Sequence, residues 1–111
     1  MTLKDEILEY VQSRDWVSFA ELQRLNGFKA EKGLVVEHGT FDNVLLWVGV
    51  SEEACQALAD LTKEGKIHWM PGHWLSYAAD GQMLKLPLAK RARNYTKPHW
   101  LPVFYRPGAR P

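Results

Sequence analysis

Cysteine is nearly absent: the 111 residues contain one, Cys55, so no intramolecular disulfide can form and no thiolate cluster can hold a metal. Such a chain reads as one from a reducing compartment, and Cys55 reads as a small apolar filler on a helix. Long apolar runs are missing too. The longest, Val44 to Val50, has seven residues against the ~20 that span a bilayer, so no membrane partner is expected. Acids follow Met1-Thr2-Leu3-Lys4 where a signal peptide needs an apolar stretch. A cytoplasmic protein is the expectation, and the sequon Asn94-Tyr95-Thr96 then has no route to glycosylation.

Catalytic signatures are also lacking. There is no glycine-rich phosphate loop, no G-x-S-x-G elbow and no H-E-x-x-H helix. Glu52 and Glu53 are adjacent, and successive helical residues do not share a face. His68 and His73 flank Pro71-Gly72 without a third histidine, a cysteine or an acid cluster beside them. The expectation is therefore a non-enzyme with no cofactor and no metal.

The most informative absence is acidic residues at the carboxyl end. Residues 81–111 hold seven bases and no acid (net +7), whereas residues 1–80 hold 13 acids and seven bases (net −6). The overall charge of +1 hides this polarity. A mass of 12.8 kDa with 46% apolar and 12% aromatic residues suffices for one self-sufficient core.

Local signals place three helices. Thr2 and Asp5 make a capping-box start, with Leu3, Ile7, Leu8 and Val11 at helical spacing. Ser18-Phe19-Ala20-Glu21 is a full capping box for a short second helix ending at Asn26-Gly27. Ser51 caps a third, in which Ala54, Leu58 and Leu61 form the apolar stripe and Gly65 ends it. Beyond Gly65 the period becomes two: Ile67 to Met70, a Pro71-Gly72 turn, then Trp74 to Ala79. Asp80-Gly81 signals a two-residue hairpin that would set Tyr77 opposite Leu84 and Leu75 opposite Leu86. Residues 27–50 read as an inserted β-hairpin. Residues 89–111, with Pro98, Pro102, Pro107 and Pro111, read as an extended basic and aromatic arm beside a domain of residues 1–88.

This order resembles the winged helix-turn-helix superfamily. The resemblance rests on Val17-Ser18-Phe19-Ala20-Glu21-Leu22 and on the Leu-x-x-Leu-x-x-x-Gly-x-Ile run from Leu58 to Ile67. It implies an α+β fold of three helices plus a C-terminal β-hairpin wing, here with a segment inserted between helices 2 and 3. It also implies a DNA-binding, regulatory protein whose third helix reads bases and whose wing, Trp69 to Lys85, touches the backbone or the minor groove. The third helix is acidic on its solvent face, with Glu53, Asp60 and nearby Glu52 and Glu64 against Lys63. Duplex affinity must then come largely from elsewhere.

The expected nucleic-acid-binding set is Gln56, Lys63, Lys85, Lys90, Arg91, Arg93, Lys97, Trp100 and Arg106, with Lys90-Arg91-Ala92-Arg93 as its densest part. Gln56 suits adenine, the cations neutralise phosphates, and the interleaved rings stack on bases. The competing reading packs the rings onto the domain or onto a second copy, and pairs the cations with the acidic helices. On that reading the chain is a protein-interaction or assembly module, a homodimer exchanging its arms, whose acidic helix face meets a basic partner.

Overall fold

The computed structural model describes all residues, 1–111. Thr2 and Asp5 exchange their two backbone-to-side-chain bonds at 3.2 Å and open α1 (Leu3–Arg14), which buries Leu3, Ile7 and Val11. A two-residue strand β1 (Val17–Ser18) leads into the single turn α2 (Phe19–Leu22), opened by the Ser18/Glu21 capping box. Ser51 Oγ accepts from Ala54 N at 3.1 Å to start α3 (Glu52–Lys63), whose buried residues are Ala54, Ala57, Leu58 and Leu61. Helices α1 and α3 stand where their caps and periodicities predict them, whereas α2 starts at its predicted cap but ends at Leu22, short of the Asn26-Gly27 end expected for it.

In the 27–50 segment, β2 (Lys29–Glu37) and β3 (Val44–Val50) pair antiparallel with register shifts. A Cβ on Gly33 would lie 2.4 Å from the Gly49 carbonyl carbon, so only glycine lets the two backbones approach this closely. Strand β4 (Ile67–Pro71) follows α3, and two residues of β5 (His99–Trp100) run parallel to β3, completing a sheet of order β2-β3-β5.

The expected wing is not present. Strand β4 does not fold back onto Trp74–Ala79; it pairs antiparallel with β6 (Val103–Pro107), from Ile67 opposite Pro107 to Pro71 opposite Val103. Residues Leu75–Ala79 form a helix, α4, and Gly81, at φ +69°, ends it as Gly81 N and Gln82 N donate to the Ala78 and Tyr77 carbonyls. A left-handed glycine serves a hairpin turn and a helix end equally, and burial decides between them here. As a helix, α4 carries Tyr77 fully into the core, where its hydroxyl accepts from Phe19 N at 3.0 Å and donates to Val103 O at 2.6 Å.

The architecture is therefore α+β with four helices and six strands in two three-stranded sheets, β1-β6-β4 and β2-β3-β5. This overturns the expectation of three helices plus a hairpin wing. Nor is the carboxyl end a detached arm: β6 is the middle strand of its own chain's sheet, and Trp100, Leu101, Val103, Phe104 and Tyr105 are buried. Phe19 sits at the centre of the core, stacked 6.0 Å from Trp47 and edge-on 5.5 Å from Tyr105.

Candidate nucleic-acid interface

Between α4 and β5 the chain runs without regular structure from Gln82 to Pro98, and it is held at several points. Ala89 N donates to Trp100 O, and Trp100 N donates to Pro87 O, both at 2.8 Å. Beyond that clamp, residues 90–97 fold over the turn joining β2 to β3. Asp42 N donates to Asn94 Oδ1 (2.9 Å), Asn43 Nδ2 to Tyr95 O (2.9 Å) and Tyr95 N to Asp42 O (3.1 Å). Asn43 adopts φ +59°, a conformation asparagine tolerates better than most residues, and this brings its amide to the loop.

The loop organises its cations around Tyr95. The Tyr95 hydroxyl donates to Arg91 O at 2.9 Å, closing the bend that contains the basic cluster. His99 stacks on Tyr95 with centroids 3.9 Å apart, and the Arg93 guanidinium lies 4.2 Å from the same ring. Leu88, Lys90, Arg91, Arg93, Tyr95 and His99 line a concavity of about 330 Å³. Lys85, Lys90, Arg91, Arg93 and Lys97 carry no ion pair to a carboxylate, and Lys90, Arg91 and Arg93 are exposed. The chain's ion pairs all lie elsewhere: Lys4 and Lys66 with Glu64, Arg24 with Asp80, and Arg106 with Asp15.

The other expected contacts are not available in the same way. Trp100 is fully buried, with its indole N–H donating to Leu46 O at 3.2 Å, so it has no face to offer a base. Arg106 gives two hydrogen bonds to Asp15, at 3.0 and 3.1 Å, and is a structural cation. Gln56 donates to Asp60 within α3 at 2.9 Å, and Lys63 borders a different concavity beside Glu37. Neither shares the loop's concavity. The pair His73 and Trp74 stacks at 5.5 Å, while Trp69 is met edge-on by His38 and covered by Arg110 at 4.7 Å. Trp69 lies opposite Tyr105 in the ladder of β4 with β6.

Asp42, Asn43, Asn94 and His99 position the basic loop, and charge counting does not reveal the first three. Asn43 within Asp42-Asn43 is a turn signal in the sequence, but its partner lies 52 residues away. Fold and cluster together describe an α+β protein of two small sheets carrying one fixed, unpaired basic loop. Comparison with protein-family models, with curated proteins and with solved structures finds no match to the chain. No helix is long and apolar enough to cross a membrane.

Proposed function

We propose that this protein binds nucleic acid through the loop of residues 85–97, by contacts to the phosphate backbone. The observation that carries the reading is the set of exposed cations Lys90, Arg91 and Arg93, unpaired with any acid and fixed around Tyr95 at one concavity. Most surface cations with an acid in reach offset part of its field. These keep their full charge for a polyanion. Lys85 and Lys97 extend the same stretch and lengthen the track a backbone could follow.

Backbone contact fits better than base stacking. The Tyr95 ring already carries the His99 stack and the Arg93 guanidinium, and Trp100 is in the core. Base discrimination by α3 gains no support either, since Gln56 is engaged by Asp60 on an acidic helix. The reading is thus of sequence-tolerant, salt-dependent binding.

The test is fluorescence anisotropy of labelled random-sequence oligonucleotides, duplex and single-stranded, at about 50 and about 200 mM salt. Binding that weakens at least tenfold over that range is the expected result. No binding at the lower salt refutes the proposal.

A further inference from the structure

The largest concavity is not at the basic loop. It lies between α3, the β2–β3 hairpin and the sheet of β4 and β6, and encloses about 430 Å³. Val36 and Leu46 form one wall, Leu58 and Cys55 a second, and Trp69 a third. Glu37, Thr62 and Lys63 stand among the otherwise apolar lining, and Ala59 is exposed at the helix side. The Trp69 ring is held by two neighbours, the His38 edge at 5.2 Å and Arg110 at 4.7 Å.

Tyr105 also lines this space and is 3% exposed. The two buried tyrosines of the core are treated differently by the fold. Tyr77 uses its hydroxyl fully, as acceptor for Phe19 N and donor to Val103 O. No protein group hydrogen-bonds the Tyr105 hydroxyl, whose electrostatic neighbour is the Cys55 thiol. That hydroxyl is not a stranded polar atom of the core, the one such side-chain atom being His68 Nε2; it opens onto the concavity, where it is a free donor for a partner that enters. Burial holds the Tyr105 phenol well above its ordinary range, so it stays protonated and acts as a donor. Burial and Glu52 raise the Cys55 thiol as well, so the cavity holds no ready thiolate nucleophile.

We infer that this cavity binds an uncharged aromatic small molecule of one or two rings carrying a carbonyl or ether oxygen, with the rings against Trp69 and Leu58 and the oxygen accepting from the Tyr105 hydroxyl. The volume falls within the ~300–1,000 Å³ of small-molecule sites, and the lining matches their chemistry: mostly apolar, with few polar groups. The site uses none of the basic loop's residues, so it stands or falls independently of nucleic-acid binding.

The probe is prodan, an uncharged naphthyl ketone whose emission shifts to the blue in apolar surroundings, titrated into the full-length protein. One saturable site per chain is expected, and saturating prodan should slow alkylation of Cys55 by iodoacetamide. Ala59→Trp, at an exposed helix position, should place an indole in the space and weaken binding at least tenfold with circular dichroism unchanged. Tyr105→Phe removes a hydroxyl with no bond in the protein, so it should fold normally and bind about fivefold more weakly, as expected when one neutral hydrogen bond is removed. Absence of saturable binding, or equal affinity in a folded Ala59→Trp protein, overturns the assignment.

Discussion

Arg106 reaches across 91 positions of sequence to hold both carboxylate oxygens of Asp15, Nε to Oδ1 at 3.0 Å and Nη2 to Oδ2 at 3.1 Å. The same guanidinium lies 5.6 Å from the Trp16 ring, and Trp16 stacks on Phe104 at 5.0 Å with the planes 7° apart. Asp15 and Trp16 both have positive φ, 54° and 55°, conformations that side-chain-bearing residues adopt rarely and keep only under tertiary constraint. The pair with Arg106 and the stack on Phe104 supply that constraint, tying the end of α1 to β6.

The first prediction concerns acid. Hydrogen bonds from Arg106, then the Trp16 N–H and the guanidinium charge, hold the Asp15 carboxyl below its ordinary range despite some desolvation. A folded-state value below the unfolded one means the pair stabilises at pH values above the unfolded pKa. That contribution disappears as pH falls through the folded value. Asp15→Asn should therefore lower Tm at pH ~7, and the difference from the unmodified protein should shrink toward zero as pH falls through and below the depressed range of the Asp15 carboxyl. Thermal melts of both proteins across that range check it. A constant difference contradicts the assignment.

The second concerns Tyr77, whose hydroxyl joins Phe19 N to Val103 O inside the core. Tyr77→Phe leaves both groups buried without their partner, which costs about 1–3 kcal/mol. Urea denaturation should show a lower midpoint with an unchanged slope. Tyr105→Phe, lacking any such bond, should lie close to the unmodified protein.

A third follows from the approach of β2 to β3. Gly33→Ala would drive a methyl to 2.4 Å from Gly49 C and 2.6 Å from Val50 N, backbone atoms that no side-chain rotation can move away. Relief requires the strands to separate, at a cost of about 1–3 kcal/mol as in overpacked cores. A lower Tm, with amide exchange quickening first in residues 29–50, is the expected outcome.

A fourth distinguishes an integral carboxyl end from an arm. A chain ending at Lys90 lacks β5 and β6, and with β6 goes the partner of both β1 and β4. It should show no cooperative thermal transition. A stable fold in that fragment would contradict the sheet order described here.

Much of the helical structure is legible because its causes are local. Thr2, Ser18 and Ser51 cap their own helices within three residues, and the stripes Leu3-Ile7-Val11 and Ala54-Leu58-Leu61 repeat at helical spacing. The segment from Trp74 to Leu86 misleads for a local reason: Asp80-Gly81 fits a hairpin turn as well as a helix end, and only Tyr77's distant partners choose. Strand β6 is hidden differently. It is bracketed by Pro102 and Pro107, which read as breakers, and its partner β4 lies more than 30 positions earlier. The basic cluster at Lys90, Arg91 and Arg93 is visible from charge counting alone. That Arg106 is engaged by Asp15 and Trp100 bonded to Leu46 in the core depends on tertiary neighbours that no window of sequence contains. The cavity beside Tyr105 is built from β2, β3, α3, β4 and β6, and leaves no sequence signal.

Whether the basic loop grips phosphates is decided by the slope of log affinity against log salt, compared between the unmodified protein and a Lys90→Ala/Arg91→Ala/Arg93→Ala variant. On a duplex, each phosphate no longer neutralised should reduce the slope by about 0.9, so three should reduce it by about 2.7 with weaker binding throughout. Arg106→Ala, which breaks a structural pair, should leave the slope unchanged. Equal affinity and equal slope in the folded triple variant would show that the basic loop is not the nucleic-acid interface.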